Sequence, residues 1–247
     1  MGSIYFISDA HLGAGTFEQE QGKREKLIAF LQQLPGRAER LYIVGDLFDF
    51  WFEYRSAILK QHFSILLELN TLVRKGVPVI YMAGNHDFWL GSFLTEHLGV
   101  ETVYGSITVE LQGKRLFLCH GDGMINQDWG YRLVKKVLRN RVCILLFQLV
   151  HPDIGVATGR LISRLSRKHG APTTWDPRPA YRDLAFSLLE KQPYDAVIFG
   201  HVHQPDFQEW EGKAYLNLGD WITQFSYGKL ADGKLSLERF DRLTQIV

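Results

Sequence analysis

The chain has 247 residues, of which 46% are apolar and 22% are charged, and its formal net charge is +1. Two cysteines are too few for a disulfide framework, and no run reaches the roughly 18 apolar residues of a membrane-spanning helix. The first residues, MGSIYFISDAH, lack the basic segment of a secretion signal. We therefore expect a globular protein with a cytoplasmic location.

Five short apolar runs along the chain each end in residues that can bind a metal ion. They are Ile4–His11, Leu41–Asp49, Val79–Asp87, Arg115–Asp122 and Ala196–His203. Helical patterns lie between several of them, at Glu20–Leu34, Ser56–Lys75 and Ala180–Lys191. Strands that alternate with helices predict a mainly parallel sheet, in which functional groups gather at the carboxyl ends of the strands. We expect the five clusters to converge at that edge.

Three further stretches predict antiparallel hairpins, because Gly-Lys or Asp-Gly turns join runs of strand-forming residues. They are Thr102–Gln112 with Arg115–Cys119, Phe207–Trp210 with Ala214–Leu218, and Gly228–Leu230 with Leu235–Phe240. Together with the parallel strands, these hairpins indicate an α/β fold with two facing sheets flanked by helices.

The segment Gly123–Pro179 separates two of the strand-and-ligand units by more than a usual connection. We interpret it as a helical lid inserted into one domain, whose core comprises residues 1–122 and 180–247. Between residues 131 and 170 there are nine Lys or Arg and one acidic residue, Asp153. In a nearly neutral protein, this local excess of positive charge suggests contact with an anionic partner.

The lid segment combines basic and apolar residues. Arg160, Arg164, Arg167 and Lys168 fall on one helical face, and Val142–Phe147 is an apolar run. A basic amphipathic helix beside such a run can lie on an anionic membrane surface. The alternative is a helical hairpin that packs on its own core and leaves its basic face in water.

Seven possible metal ligands follow the predicted strands. They are Asp9, His11, Asp46, Asn85, His120, His201 and His203. Residues two apart on an extended backbone point to the same side, so Asp9 with His11, and His201 with His203, can each hold one ion. Seven ligands exceed the need of one catalytic ion but suit two ions about 3.5–4 Å apart. Imidazole and oxygen donors without thiolate favour Mn, Fe or Zn over Ca. We expect two divalent ions, with Mn as the preferred metal and Fe or Zn as alternatives.

These motifs together resemble those of the calcineurin-like metallophosphoesterases. The matching blocks are Asp9-x-His11, Gly45-Asp46-x-x-Asp49, Gly84-Asn85-His86-Asp87, His120-Gly121-Asp122 and Gly200-His201-x-His203. The resemblance implies a four-layer α/β/β/α sandwich. It also implies that one ion binds Asp9, His11, Asp46 and His203, that the other binds Asp46, Asn85, His120 and His201, and that Asp46 bridges the two.

The resemblance further implies roles for the two residues that follow Asn85. His86 would point at the phosphate, where its N–H can stabilise charge or protonate the departing oxygen. Asp87 would orient and charge the His86 imidazole. The implied nucleophile is a metal-bridging hydroxide, and no covalent intermediate is needed.

Within this family, the stretches YIVGDLFDFWFEYR, GNHDFWLG and GHVHQP are most similar to UDP-2,3-diacylglucosamine pyrophosphatases of lipid A biosynthesis. Those enzymes hydrolyse a pyrophosphate bond to give UMP and lipid X, and they carry a helical lid at the position of Gly123–Pro179. The resemblance implies a peripheral location on the cytoplasmic face of the inner membrane. The candidate substrate contacts are Asn85, Asp128, Tyr131, Arg164, Arg167 and Lys168. Two features differ from the enterobacterial-type enzymes: His86 replaces an Arg, and Arg167–Pro177 does not match their Ser- and Lys-rich stretch.

Two other functions fit the same motifs. A soluble phosphoesterase acting on nucleotides, cyclic nucleotides or phosphoproteins would keep its activity without the basic face of the lid. A non-catalytic scaffold of this fold would typically have lost ligands, whereas all seven and His86 are present here. We expect no nucleic-acid partner, because the basic segment has aliphatic neighbours and no recognisable binding motif.

Overall fold

The computed structural model of this chain describes residues 2–125, 140–169 and 176–241, and for residues 164–169 it describes the backbone alone. The helices in these ranges are α1 Phe17–Leu31, α2 Phe63–Arg74, α3 Phe93–Leu98, α4 Arg141–Gln148, α5 Pro152–His169 and α6 Arg178–Lys191. The strands are β1 Ser3–Ile7, β2 Ala38–Val44, β3 Val79–Met82, β4 Glu101–Val103, β5 Ile107–Leu111, β6 Lys114–Cys119, β7 Ala196–Phe199, β8 Asp206–Trp210, β9 Lys213–Asn217, β10 Ser226–Ala231 and β11 Lys234–Arg239. A short 3₁₀ helix, Lys60–His62, leads into α2.

The strands form two sheets. The first has the order β11-β10-β1-β2-β3-β4, and the second has the order β5-β6-β7-β9-β8. Strands β1 to β4 run parallel, as do β6, β7 and β9. Antiparallel strands occupy the remaining positions in both sheets. The parallel strands of both sheets therefore carry the predicted ligand clusters at their carboxyl ends.

The core is divided into layers by the alternation of side chains along the strands. On β1, Tyr5 and Ile7 pack into the core beneath α1 and α2, whereas Ile4 and Phe6 pack into the core between the two sheets. A third core joins the outer face of the second sheet to α6, where Tyr181 packs on the strand residues. The molecule is thus the expected four-layer α/β/β/α sandwich, with both faces of each sheet covered.

The predicted hairpins are confirmed for β8 with β9 and for β10 with β11. The first predicted hairpin is wrong in part. Its opening residues form β4, which pairs in parallel with β3 in the first sheet, and only β5 pairs antiparallel with β6. Gly105 lies between them with a φ of 90°, a conformation that favours glycine, and the chain there passes from one sheet to the other. The Gly105-Ser106 pair within Thr102–Gln112 marks this change of sheet.

Helix α1 begins earlier than predicted, because Thr16 caps it. The Thr16 hydroxyl accepts a hydrogen bond from the Gln19 amide, and the Gln19 side chain accepts one from the Thr16 amide. This reciprocal capping box satisfies amides that the first turn leaves unpaired. The N-terminus of α1 is thereby fixed beside the loop that follows β1.

The segment predicted as an insertion contains α4 and α5 within its described part. Phe147 of α4 packs against an aromatic cluster of the core, with its ring centroid 4.7 Å from that of Phe52 and 5.1 Å from that of Trp89. None of the helices in the described ranges is both long enough and apolar enough to cross a bilayer. The role of this segment as a lid stays a prediction.

Candidate metal centre

The seven predicted ligands converge at the carboxyl ends of β1, β2, β3, β6 and β7. His11 Nε2 lies 3.6 Å from Asp9 Oδ1 and 3.2 Å from His203 Nε2. On the other side, His120 Nε2 lies 3.0 Å from Asn85 Oδ1. The strand order therefore brings together side chains that are far apart in the sequence, such as His203 and Asp9, which are 194 residues apart and whose Nε2 and Oδ1 atoms lie 3.4 Å from each other.

Asp46 lies between two groups of potential ligands. Its Oδ2 is 3.6 Å from His11 Nε2 and 3.2 Å from His120 Nε2. Ligand atoms of Asp46, His120 and His201 lie within 4.8 Å of one another, as do those of Asp9, His11 and His203. This is the arrangement that a carboxylate shared by two ions requires. The assignment of each residue to one or the other ion stays a prediction.

The backbone at the centre adopts a conformation that side chains rarely take. Five of the seven predicted ligands have a positive φ, namely 56° for Asp9, 42° for His11, 52° for Asp46, 67° for His201 and 58° for His203. Such conformations cost free energy and persist where the surrounding structure enforces them. Their concentration at these positions indicates that the loops are shaped for the ligand geometry.

Glycine precedes several ligands because the loops approach one another closely. A Cβ atom at Gly45 would collide with the His120 ring, and one at Gly84 would collide with the Asp46 carboxylate. Gly45 also has a φ of 82°. In the motifs Gly45-Asp46 and Gly84-Asn85, glycine is therefore required because a larger side chain would not fit.

The electrostatics of the cluster fit divalent cations. Asp9 Oδ1 is buried and has no hydrogen-bond donor among the residues that the structure describes. Burial opposes protonation of His11, yet Asp49 and Asp9 raise the pKa of His11 to about 10. The carboxylates therefore favour positive charge at this point, which a bound cation supplies. His120 Nδ1–H donates to the Val44 carbonyl oxygen at 2.8 Å, so its Nε2 is free to bind a cation.

The expectation that Asp87 orients His86 is wrong. The buried Asp87 carboxylate accepts hydrogen bonds from the amides of Gly84 at 2.9 Å and Asp46 at 3.2 Å, and from the Tyr81 hydroxyl. Burial and the nearby charge of Asp46 raise the pKa of Asp87 to about 6. Asp87 therefore fixes the loops after β2 and β3 to each other, and it makes no contact with the His86 ring.

Asp49 and Ser163 contact His86 instead, and the sequence reasoning assigned a role to neither. His86 Nδ1–H donates to the Asp49 carbonyl oxygen at 3.1 Å. The Ser163 hydroxyl, on α5, donates to Asp49 Oδ1 at 2.8 Å and lies 3.2 Å from His86 Nδ1. The Gly-Asp-x-x-Asp spacing was a signal for Asp49, whereas nothing in the sequence around Ser163 pointed to the site. Helix α5 therefore reaches the centre through Ser163.

The predicted substrate contacts are placed only in part. Asn85 lies in the centre, beside His120. Asp128 and Tyr131 lie outside the described residues. Arg164, Arg167 and Lys168 belong to the last turns of α5, and their side chains are outside the described part of the chain. These residues stay candidates from the sequence.

A buried ion pair on α1 holds the loop that carries Asp9 and His11. Lys23 Nζ donates to the carbonyl oxygens of Ala10 at 3.0 Å and His11 at 2.9 Å, and it lies 2.8 Å from Glu20 Oε1. The Glu20 carboxylate accepts hydrogen bonds from the amides of two glycines just beyond this loop. Because removing one member of a buried pair is costly, both side chains act together to fix the loop.

Replacing Lys23 with Met is expected to weaken metal binding roughly 10- to 100-fold, the usual effect of removing a group that orients a ligand. Calorimetric titration of the metal-free protein with Mn²⁺ measures this. Lys75→Met, at the exposed end of α2, is the matched control and should bind Mn²⁺ like the unmodified protein. A lower melting temperature of Lys23→Met with unchanged Mn²⁺ affinity would show that Lys23 serves stability alone.

Comparison with known proteins gives consistent matches. The calcineurin-like phosphoesterase family profile matches residues 2–205. A protein of Porphyromonas gingivalis named UDP-2,3-diacylglucosamine hydrolase is 34% identical, over 96% of this chain and 97% of that protein. A protein of the same name from Aeromonas hydrophila is 30% identical, over 96% of this chain and 98% of that one. A solved structure of an archaeal phosphodiesterase covers 96% of this chain and 98% of its own, with 16% identity and a TM-score of 0.48.

Proposed function

The chain belongs to the calcineurin-like phosphoesterase family, and we propose that it hydrolyses the pyrophosphate bond of UDP-2,3-diacylglucosamine to give UMP and 2,3-diacylglucosamine 1-phosphate, lipid X. The observation that carries the proposal is the position of α5, whose Ser163 touches both Asp49 and His86 in the ligand cluster. The inserted segment therefore borders the place of reaction. The curated relatives named for this activity support the choice of substrate.

In this proposal, each part of the cluster has a distinct task. The seven ligands hold two divalent ions, Mn first, which when bound supply Lewis-acid activation of water and of the phosphoryl oxygens. His86 faces the reacting group with its Nε2, since its Nδ1 is held by Asp49. There, in the imidazolium form that a neighbouring anionic phosphoryl group favours, its Nε2–H would stabilise charge on the phosphoryl oxygens or deliver a proton to the departing phosphate oxygen as the P–O bond breaks.

An aromatic cavity next to the centre fits the acyl chains of this substrate. It has a volume of about 470 Å³, and α4 supplies Ile144 to its wall. Its other lining residues are Phe52, Glu53, Phe88, Trp89, Gly91, Tyr104, Arg141 and Gln148. Because Phe88 and Trp89 follow directly after His86 and Asp87, a chain in this cavity would lie close to the reacting phosphate.

The outer face of α4 and α5 supports peripheral binding to an anionic membrane. Several large apolar side chains there are exposed, including Leu149 at 83%, Leu146 at 60% and Leu145 at 58%. These side chains lie within residues 131–170, which contain nine Lys or Arg and one acidic residue. Apolar side chains beside basic ones match the boundary between acyl chains and anionic headgroups.

The double variant Leu145→Ser/Leu149→Ser is expected to lower the affinity for vesicles of phosphatidylethanolamine and phosphatidylglycerol about tenfold or more, since each buried CH₂ contributes about 0.8 kcal/mol. Co-sedimentation with the vesicles measures it. Leu67→Ser, which changes a half-exposed leucine on α2, should leave vesicle binding unchanged. Equal binding by the double variant and the unmodified protein would contradict the membrane assignment.

The proposed reaction is tested with the Mn²⁺-loaded protein and UDP-2,3-diacylglucosamine in detergent micelles. Release of UMP and of 2,3-diacylglucosamine 1-phosphate, detected by mass spectrometry, supports it. Turnover of simple phosphodiesters or nucleotides without any release of UMP from the lipid substrate would replace it with the soluble phosphoesterase. A complete lack of turnover with every phosphoester and metal tried would favour the non-catalytic scaffold.

A further inference from the structure

We propose that Arg24 and Arg160 form a pocket that binds a phosphoryl group beside the metal centre. Arg24 lies on α1 and Arg160 lies on α5, so the two side chains reach one cavity from different helices. The cavity has a volume of about 390 Å³ and is lined by Gly13, Gly15, Phe17, Glu20, Arg24, Gln61 and Arg160.

Neither guanidinium has an acidic partner within the described part of the chain. Arg160 donates a hydrogen bond to the amide oxygen of Gln61. Arg24 Nε is buried without a hydrogen-bond acceptor among the described residues. Two cations at one cavity repel each other, and an anion between them removes that repulsion and accepts their N–H groups. Guanidinium groups are well suited to this because their donors match phosphate oxygens in pairs.

The one carboxylate in the cavity wall is already neutralised. Glu20 accepts hydrogen bonds from the amides of Gly13 at 2.6 Å and Gly15 at 2.8 Å, and it pairs with Lys23 at 2.8 Å. Its charge is therefore compensated by Lys23 and the two amides, and no ion pair joins it to either arginine among the described residues. The cavity keeps the positive charge of Arg24 and Arg160.

The charges of both arginines affect the pKa of a buried histidine, His62. Burial first, and then Arg24 and Arg160, lower the pKa of His62 to about 3. Both cations thus act on the same ring, which lies at the entrance to α2 beside Gln61. This observation agrees with the cavity in placing the two guanidinium groups near one point.

The pocket adjoins the place of reaction. It shares Gly15 and Glu20 with a cavity of about 530 Å³, onto which His11, His86 and His203 open. A pyrophosphate substrate has one phosphoryl group that reacts and a second that does not. We assign the non-reacting phosphoryl group to the arginine pocket. The identity of this occupant rests on the proposed function, whereas the existence of a phosphate site does not.

The test compares Arg24→Gln, Arg160→Gln and the double variant with Arg74→Gln, which removes the same charge at the exposed end of α2. Inorganic phosphate is titrated into each Mn²⁺-loaded protein by calorimetry, and the kinetic constants are measured with UDP-2,3-diacylglucosamine and with bis(p-nitrophenyl) phosphate. Each arginine variant should bind phosphate roughly tenfold or more weakly, since charged hydrogen bonds are lost. KM for UDP-2,3-diacylglucosamine should rise by a similar factor in each arginine variant, whereas their turnover of bis(p-nitrophenyl) phosphate should not change. The control Arg74→Gln should match the unmodified protein in every measurement.

The remaining outcomes separate the sources of the anion. Weaker phosphate binding with an unchanged KM for the pyrophosphate substrate would keep the site but assign it to free phosphate. Weaker phosphate binding in a protein that does not hydrolyse UDP-2,3-diacylglucosamine would overturn the proposed function and leave the site standing. Phosphate affinity and KM that are the same in the double variant and in Arg74→Gln would overturn the pocket itself.

Discussion

Replacing Asp46 with Asn is expected to reduce phosphoesterase activity roughly 10³-fold or more and to lower the metal content of the protein. Asp46 Oδ2 faces His11 on one side and His120 on the other, at 3.6 and 3.2 Å. An amide cannot supply the negative charge that two neighbouring cations need. Loss of the cations removes several kcal/mol of transition-state stabilisation, and each 1.36 kcal/mol corresponds to a factor of ten in rate. Elemental analysis after dialysis, together with turnover of bis(p-nitrophenyl) phosphate, measures both effects.

Asp206→Asn is the matched control for this experiment. Asp206 is also a buried carboxylate, but it lies on β8, and its side-chain hydrogen bonds within the described residues come from Arg182 and Gln208 and not from a predicted metal ligand. Its replacement should cost stability and leave turnover and metal content unchanged. If Asp46→Asn kept both ions and full activity, Asp46 could not be the bridging ligand.

The convergence of the seven predicted ligands could be inferred from the sequence, because apolar runs locate the ends of the strands. Asp9, Asp46 and His120 each follow a strand within two residues, and parallel strands end at a common edge. Gly45, just before Asp46, indicated a close approach of the backbone. In the structure a Cβ atom at this position would collide with the His120 ring. Such features depend on residues that are adjacent in the chain, so they can be recognised from the sequence alone.

The errors arise where tertiary contacts decide the role of a residue. Asp87 stands beside His86 in the chain, but neighbouring residues after a strand point in different directions, and its carboxylate turns to Tyr81 and the loop amides. Asp49 reaches His86 from the loop that follows β2. Ser163 lies 77 residues from His86, on a helix whose docking no local pattern records. The position of Arg24 and Arg160 at one cavity has the same origin.

The change of sheet between β4 and β5 illustrates a related limit. Thr102–Gln112 is predicted as one strand because most of its residues favour extended structure, although Gly105-Ser106 divides it. Only the pairing partners reveal that β4 continues the first sheet while β5 begins the second. The strand propensity of a segment predicts an extended backbone, but it does not predict which sheet the strand joins.

Replacing His86 with Ala is expected to lower the rate of lipid hydrolysis roughly 10²- to 10⁴-fold, the range for a positioned acid or hydrogen-bond donor, while both ions stay bound. The reason for the retained ions is that the Asp46 carboxylate accepts a hydrogen bond from the His86 backbone amide at 2.9 Å, which alanine also supplies. Elemental analysis and turnover of UDP-2,3-diacylglucosamine measure the two effects. His97→Ala, at an exposed position of α3, is the control and should behave like the unmodified protein.

The leaving group distinguishes the two ways in which His86 can act. The nitrophenolate released from bis(p-nitrophenyl) phosphate leaves without protonation, so the loss in His86→Ala should be much smaller with this substrate if His86 protonates the departing oxygen. Equal losses with both substrates would show that His86 stabilises charge on the phosphoryl oxygens instead. Loss of an ion from His86→Ala would contradict both, because the ring nitrogen lies close enough to His11 and Asp46 to act as a ligand itself.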